Sequence, residues 1–126
     1  MIRRDFVRIG GVGLAGLVAE AALPSVVRAA AGWRSLKVTA VEVYRLQTGS
    51  LFVLVRTSEG ITGLGEVSPM NTKVLEAVVR YSLAPIVVGK NPLDIGRIWD
   101  EMLHATYKLG TAGSQPEAMA GIDIAL

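Results

Sequence analysis

From residue 53 to residue 66 the chain reads Val53-Leu54-Val55-Arg56-Thr57-Ser58-Glu59-Gly60-Ile61-Thr62-Gly63-Leu64-Gly65-Glu66. Leu51–Thr57 is nearly all apolar and β-branched, which favours a central strand covered on both faces. Residues 58–60 form a short polar connection that ends in glycine, as hairpin turns with positive φ require. Residues 61–67 then predict a returning strand, so this stretch is interpreted as an antiparallel hairpin.

An earlier strand is predicted over residues 36–46, where apolar and polar residues alternate. The alternation slips at Ala40-Val41, which indicates a bulge or a local twist. Residues 47–50 form a turn cluster that returns the chain to the hairpin. In the last strand, Gly63 and Gly65 predict that another element approaches the backbone closely. Together these segments predict a three-stranded antiparallel meander.

The period of the apolar residues becomes helical after residue 71. A first helix is predicted from Val74 to Leu83, with Ala84-Pro85 ending it and residues 86–88 as an apolar link. Asn91-Pro92 predicts the start of a second helix, with asparagine as the N-cap and proline in the first helical position. Gly110 is expected to stop that helix.

A third helix is predicted over residues 118–126, after the capping box Ser114-Gln115-Pro116-Glu117. The predicted fold is therefore α+β, a three-stranded antiparallel meander followed by a helical bundle. The apolar residues of this last helix are distributed around its whole circumference, which predicts that the helix is buried on every side. A domain of about 95 residues can scarcely cover such a helix completely, so we expect the chain to be interrupted at Leu126 within a larger protein.

The first 31 residues have the layout of an export signal. Arg3-Arg4-Asp5-Phe6 resembles the twin-arginine type, and a short apolar run follows at residues 9–19. That run is too short to span a bilayer, which needs about 20 helical residues. Small residues follow, and cleavage is expected near Ala29 to Ala31. The expectation is an exported, periplasmic protein whose folded domain covers residues 32–126.

The same leader contains Gly11-Val12-Gly13-Leu14-Ala15-Gly16, which fits the dinucleotide-binding pattern G-x-G-x-x-G. Two arginines stand where a buried strand would begin, and Pro24 interrupts the helix that would follow. Glu42 also lies 26 residues after Gly16, further than the spacing of about 20 for a ribose-binding acid. The export signal is therefore the preferred interpretation, and a nicotinamide enzyme is the lesser alternative.

Composition excludes several classes of protein. The chain has 126 residues, of which 51% are hydrophobic and 19% charged, so intrinsic disorder is not expected. Its net charge of +2 comes from the leader, because residues 32–126 contain nine basic and nine acidic residues. No nucleic-acid partner is therefore predicted. The absence of cysteine excludes disulfides, thiolate zinc sites and cysteine nucleophiles.

No set of residues predicts a catalytic centre or a metal site in this chain. His104 is the single histidine and is interpreted as an ordinary helical side chain. Glu66 is expected to pair with a lysine or arginine. Asp123 is expected to be hydrogen-bonded or paired, because it stands in an otherwise apolar helix.

Five short motifs follow one another along residues 36–126. They are Val41-Glu42-Val43-Tyr44-Arg45-Leu46, the stretch 53–66, Val88-Gly89-Lys90-Asn91-Pro92, Ile98-Trp99-Asp100 and Gly121-Ile122-Asp123-Ile124-Ala125-Leu126. In order and spacing they resemble the N-terminal domain of the enolase superfamily, in the mandelate racemase / muconate lactonizing enzyme group. In that family the last motif leads into a (β/α)8 barrel, which this chain lacks.

The resemblance implies a capping domain that is not catalytic by itself. Family members abstract a proton α to a carboxylate and stabilise the product with Mg²⁺, using bases and metal ligands on the barrel. No such position falls within this chain, so Mg²⁺ is expected only for the full-length family member. The implied partners are the barrel domain and a small carboxylate substrate, with a sugar acid favoured. Family members commonly associate, which leaves a homo-oligomer open.

By motif position, the substrate-facing loops are residues 47–50 and 68–73, with residues 108–113 as a weaker third candidate. Their side chains can hydrogen-bond a polyol or carboxylate or offer adaptable apolar contact. The candidates are Gln47, Thr48, Ser50, Ser68, Met70 and Asn71. The implied reaction class is a sugar-acid dehydratase, racemase or cycloisomerase. The alternative is a small exported α+β binding module without catalytic activity.

Overall fold

Three strands form one antiparallel sheet in the order β1-β2-β3, in a computed structural model that describes residues 33–126. They are β1 (Val38–Arg45), β2 (Leu51–Thr57) and β3 (Thr62–Val67). Both connections are tight turns, each with a glycine at positive φ: Gly49 at 97° and Gly60 at 77°. The predicted meander is confirmed.

The strand register explains the irregularity that the sequence pattern indicated. Val38 pairs with Thr57 and Ala40 with Arg56, so the register shifts between Val38 and Ala40, just before the predicted slip at Ala40-Val41. On β2, Leu51, Val53 and Val55 are buried, while the other residues of the strand are only half-buried or exposed. Among residues 33–126 the helices pack on one face of the sheet only, so the prediction that β2 is covered on both faces is wrong for this part of the chain.

One helical segment covers residues 72–87 and passes through Pro85. It consists of α1 (Thr72–Ala77), a π-helical turn (Val78–Leu83) and α2 (Ala84–Val87). The prediction that Ala84-Pro85 ends the helix is wrong. Ala84 N–H bonds to the Val79 carbonyl across the π turn, and the next residue is a proline with no N–H to donate. The helical hydrogen bonds thus change from the fourth to the fifth preceding residue just before Pro85, which lacks the N–H donor.

The second predicted helix starts later than Asn91-Pro92. It is α3 (Ile95–Thr106), and its N-cap is Asp94. The Asn91 side chain instead accepts the Leu93 N–H at 3.0 Å and so caps the preceding turn. A 3₁₀ turn (Tyr107–Leu109) extends α3, and the helical conformation stops at Gly110 as predicted.

The last helix, α4 (Ser114–Ala125), begins four residues before the predicted start at Ala118. Its N-cap is Gly113 and no side chain caps it, so the predicted Ser114–Glu117 capping box does not form. Burial on every side is also wrong for the described residues, because Ile124 is 63% exposed. The expected partner of Asp123 is not found: its side chain is half-buried and forms no hydrogen bond or ion pair with the residues of 33–126, and its exposed part can be hydrated.

The core lies between the inner face of the sheet and the helices. Buried apolar residues from all three strands and from every helical segment except the 3₁₀ turn fill it: Val38, Val43, Leu51, Val53, Val55, Val67, Leu75, Val79, Leu83, Val87, Ile98, Met102, Ala118, Met119, Ile122 and Ala125. The fold is α+β, as predicted, and residues 33–126 contain no barrel.

The predicted close approach to β3 is confirmed, and α4 makes it. A Cβ built on Gly65 would overlap the carbonyl oxygen of Gly121, and one built on Gly63 would lie 2.8 Å from the carbonyl carbon of Ala125. Gly121 in turn faces Val67. Gly63 lies next to Ala125, and Gly65, further along β3, lies next to the earlier residue Gly121. The strand and the helix therefore run in opposite directions.

The predicted export signal, its cleavage region and the G-x-G-x-x-G pattern lie outside the described residues. Within residues 33–126, no helix is both long and apolar enough to cross a membrane.

Candidate functional site

The two principal candidate loops meet at one end of the sheet. Leu51, the first residue of β2, pairs with Arg45 on β1 and with Val67 on β3. The turn 47–50 follows β1 after one further residue, Leu46, and the loop 68–73 follows β3 directly after Val67. The predicted pair of loops is therefore adjacent in space.

The first loop is a closed turn that displays its polar side chains. The Leu46 N–H donates to the Ser50 carbonyl at 2.9 Å, and the Gly49 N–H donates to the Leu46 carbonyl at 3.0 Å. Because backbone bonds close the turn, the side chains of Gln47 and Thr48 are left exposed, while Ser50 is half-buried at its base.

The second loop is ordered by its own polar groups. The Ser68 hydroxyl accepts the Met70 N–H at 3.4 Å. The Met70 side chain is 63% exposed. Asn71 adopts the left-handed conformation, with φ 55° and ψ 39°. Its carbonyl accepts the N–H groups of Val74 at 2.8 Å and Leu75 at 3.1 Å, which starts α1. Asparagine tolerates this conformation better than most residues.

A surface pocket of about 420 Å³ lies at this second loop. Its lining residues are Pro69, Asn71, Thr72, Lys73 and Val74. Of the six predicted site residues, Asn71 lines the pocket, whereas Gln47, Thr48, Ser50, Ser68 and Met70 do not. Thr72 and Lys73 were not among the predicted site residues. The sequence signal that could have indicated Lys73 is a basic residue that closely follows the turn residues Pro69 and Asn71. The pocket thus combines an amide, a hydroxyl and an ammonium group.

A charged cluster attaches α1 to β1 close to the first loop. Glu76 lies 3.4 Å from Arg45 and 3.0 Å from Arg80, and Arg80 also donates to the Val43 carbonyl at 3.3 Å. These groups are partly exposed, so each pair contributes little energy. Their effect is geometric, because the Glu76 carboxylate connects β1, which precedes the first loop, to α1, which follows the second loop.

A second charged cluster lies on the outer face of the sheet. The Arg56 Nε donates to Glu42 at 2.7 Å, and the Tyr44 hydroxyl also donates to Glu42. Arg56, followed by the Tyr44 hydroxyl, lowers the pKa of Glu42 from its ordinary value of 4.5, while the hydrogen bond to Glu42 raises the pKa of Tyr44. Glu66 is exposed on the same face and has no ion pair within residues 33–126, so its predicted pairing is wrong.

The third candidate loop, residues 108–113, lies toward the same end of the domain. Because α4 runs opposite to β3, the start of α4 extends past Val67 toward the other two loops. His104, just before this loop, is exposed, and its Nδ1 bonds to the Asp100 carbonyl at 2.7 Å. The His104 ring therefore bonds within its own helix.

No metal centre is built into the described part of the chain. Within residues 33–126, no three acidic or histidine side chains lie close enough together to hold a metal ion. The loops offer amides, hydroxyls and a lysine, whereas Mg²⁺ prefers carboxylate oxygens. These residues therefore do not fit a Mg²⁺ site.

Comparison with known proteins identifies the family of this chain. The family model described as "Mandelate racemase / muconate lactonizing enzyme, N-terminal domain" matches residues 25–126. The chain belongs to this family. The resemblance carried by the five sequence motifs is thereby confirmed.

Among curated members of the mandelate racemase / muconate lactonizing enzyme family, the chain is similar to D-galactonate dehydratases. It is 41% identical over 92 residues to that of Xanthomonas campestris pv. campestris (strain B100) and 36% identical over 92 residues to that of Ralstonia pickettii (strain 12J). Each alignment covers 72% of this chain and 24% of the relative. The chain thus spans about a quarter of the length of these relatives.

Solved structures of the family share the fold. A mandelate racemase/muconate lactonizing protein from Paracoccus denitrificans PD1222, crystallised with magnesium, is 36% identical with a TM-score of 0.67, over 72% of this chain and 26% of that one. A member of the enolase superfamily from Salmonella Typhimurium is 32% identical with a TM-score of 0.65, over 71% and 24% of the two chains. This chain thus corresponds to the N-terminal domain of larger family members.

Proposed function

We propose that residues 32–126 are the substrate-capping domain of a Mg²⁺-dependent sugar-acid dehydratase and have no turnover by themselves. The observation that carries this proposal is the meeting of two ordered polar loops, 47–50 and 68–73, at one end of the sheet. The choice of a sugar acid is supported by the similarity to D-galactonate dehydratases. Capping loops close over an active site, exclude water and help to select the substrate.

The chemistry of the loops suits a polyhydroxylated carboxylate. Gln47, Thr48 and Asn71 can exchange hydrogen bonds with hydroxyl groups, and Lys73 can face the carboxylate. Met70, exposed beside them, offers a flexible apolar contact to the carbon chain. When bound, Mg²⁺ would stabilise the enediolate that proton abstraction creates, and its ligands would come from the barrel that completes the enzyme.

A chimeric enzyme tests the proposal. Residues 33–126 replace the matched segment of the Xanthomonas campestris D-galactonate dehydratase, and D-galactonate dehydration is measured with Mg²⁺. We expect turnover by the chimera, and none by the 126-residue chain alone or by the relative without its matched segment. Turnover by the chain alone would overturn the proposal. A chimera no more active than the shortened relative would instead favour a self-sufficient binding module.

We also propose that residues 1–31 are a twin-arginine export signal. The Arg3-Arg4 pair, the apolar run and the small residues before Trp33 support it. Residues 1–35 fused to a prefolded reporter should bring it to the periplasm of a bacterium that has the twin-arginine pathway. Replacing both arginines by lysine should abolish export, and a reporter that stays in the cytoplasm with the native residues would contradict the assignment.

A further inference from the structure

Gln115 is a polar side chain with no exposed surface. We assign the orientation of the Gln115 amide from its neighbours, because the opposite orientation would set its oxygen against the Gly110 and Thr106 carbonyls. So assigned, the amide nitrogen donates to the carbonyls of Gly110 and Thr106, the latter at 3.1 Å. Its oxygen lies 2.7 Å from the Thr106 hydroxyl oxygen, which also lies 2.6 Å from the Met102 carbonyl, so these two acceptors share the single hydroxyl proton. Thr106 is itself buried, with 6% of its surface exposed. One side chain on α4 therefore holds the end of α3 and the glycine that follows the 3₁₀ turn.

These bonds hold both ends of a short loop. Between Thr106 and Gly110 the chain makes a single 3₁₀ turn, closed by the Gly110 N–H to the Tyr107 carbonyl at 3.1 Å. A buried amide is costly unless its hydrogen bonds are made, so an apolar side chain at position 115 would be the simpler choice for packing alone. The presence of glutamine indicates that the loop conformation matters.

The loop that Gln115 holds displays side chains suited to ligand contact. Tyr107 is 60% exposed and Leu109 is 58% exposed. The Lys108 ammonium lies 5.9 Å from the centroid of the Tyr107 ring, which places a cation over an aromatic face. As shown above, this loop lies toward the end of the domain that carries loops 47–50 and 68–73.

We propose that residues 107–111 form a third substrate-facing loop, in which Lys108 and Tyr107 contact an anionic, hydroxylated ligand, and that Gln115 is its positioning residue. This inference rests on the proposed capping function. Gln115 does not touch the ligand and acts through the backbone of the loop. The ligand class is a sugar acid, because a carboxylate suits the ammonium and hydroxyl groups suit the phenol.

Hydrogen exchange on the 126-residue chain tests the positioning role. Gln115→Met removes the amide and its bonds to the two carbonyls, so the Gly110 amide, which bonds to the Tyr107 carbonyl, should exchange about tenfold faster or more, with β2 unaffected. Gln47→Met, the same change at an exposed glutamine, should leave these rates unchanged. Equal protection in Gln115→Met and the native chain would overturn the positioning role. Gln115→Glu should restore protection near pH 5 more than near pH 8, because a protonated carboxyl can donate to one carbonyl.

Kinetics in the chimeric dehydratase test the substrate-facing role. Gln115→Met and Lys108→Ala should each raise KM for D-galactonate about fivefold or more, with kcat changed less, whereas Glu59→Gln on the opposite hairpin should change neither. The double variant should be no worse than the poorer single variant, because both changes act through one loop. A normal KM in an active chimera carrying Gln115→Met would overturn this inference alone. An inactive chimera with native residues 33–126 would overturn the proposed function and the substrate-facing role together, and hydrogen exchange would still decide the positioning role.

Discussion

Gly65 on β3 and Gly121 on α4 contact each other backbone to backbone, with no room for a side chain between them. A Cβ built on Gly65 would overlap the Gly121 carbonyl oxygen and would also lie 3.1 Å from the Ala125 nitrogen. Because both obstacles are backbone atoms, no rotamer change can relieve them. This contact fixes the distance of α4 from the sheet, and with it the position of the loop before α4.

Gly65→Ala should therefore destabilise the domain. We expect a loss of about 2–3 kcal/mol in the free energy of unfolding, since overpacking against a rigid neighbour costs about that much. Gly96→Ala is the matched control, because its Cβ would enter open space within a helix. It should be neutral or stabilise by up to about 1 kcal/mol. Urea denaturation of the two variants checks this, and equal stabilities would refute the close packing.

The π turn predicts a contrast between two neighbouring valines. Val87 is fully buried and Val88 is 44% exposed, although both belong to the segment that the sequence predicted to be a link. Val87→Ala should cost about 2 kcal/mol in the free energy of unfolding, whereas Val88→Ala should change it by less than about 0.5 kcal/mol. Chemical denaturation of both variants measures the difference. A larger loss in Val88→Ala would mean that the helix does not continue through Pro85.

Stability should fall at acid pH partly through Glu101. The Lys90 ammonium, followed by the Arg97 guanidinium, lowers the pKa of Glu101 from its ordinary value of 4.5. A carboxylate whose pKa is lower in the folded state stabilises the fold above its unfolded pKa, and this contribution disappears as pH falls through the folded pKa. The melting temperature of Glu101→Gln should therefore decline less than that of the native chain below about pH 4.5.

Melting curves from about pH 7 to about pH 3 measure this effect. Glu59→Gln is the control, since Glu59 lies exposed in the β2–β3 turn and should leave the native pH profile unchanged. Parallel declines for the native chain and Glu101→Gln would show that the ion pairs with Lys90 and Arg97 do not stabilise the fold.

Asn71 permits the fold and the proposed function to be tested separately. Asn71→Gly keeps a residue that adopts positive φ readily, so the melting temperature should change little. The variant removes the amide that lines the pocket, and in the chimeric dehydratase we expect KM for D-galactonate to rise about tenfold, the effect of one or two hydrogen bonds. Asn71→Val should instead destabilise the domain, because a β-branched residue is strained at this φ. An unchanged KM in Asn71→Gly would exclude Asn71 from substrate contact.

Local sequence patterns predicted the strands better than the helix ends. The strand order follows from β-branched runs separated by glycine turns at Gly49 and Gly60, and the close approach at Gly65 follows from glycine inside a strand. The predicted helix ends were wrong where a local sequence preference conflicted with packing against the core. Pro85 would end an isolated helix, but Leu83 and Val87 must both reach the core. The helix continues past Pro85, and because Leu83 and Val87 are four residues apart they lie on the same, buried face of it.

The candidate site was predictable in its loops and less so in its residues. Motif position indicated loops 47–50 and 68–73, and strand pairing at Leu51 brings them together. Lys73 was missed because a lysine at the start of a helix looks like an ordinary solvated residue. Gln115 was missed because its sequence neighbours suggested helix capping, and its burial depends on α3 and the 3₁₀ turn packing over it.

The sequence by itself determined the α+β class, the meander, the two polar loops and the family. Each depends on local periodicity, turn chemistry or motif order, which neighbouring residues specify without reference to distant ones. Only the tertiary structure decided which residues line the pocket, how the helix passes Pro85 and what Gln115 holds. These features arise from contacts between segments far apart in the chain, where packing against a shared core outweighs the preference of any single segment.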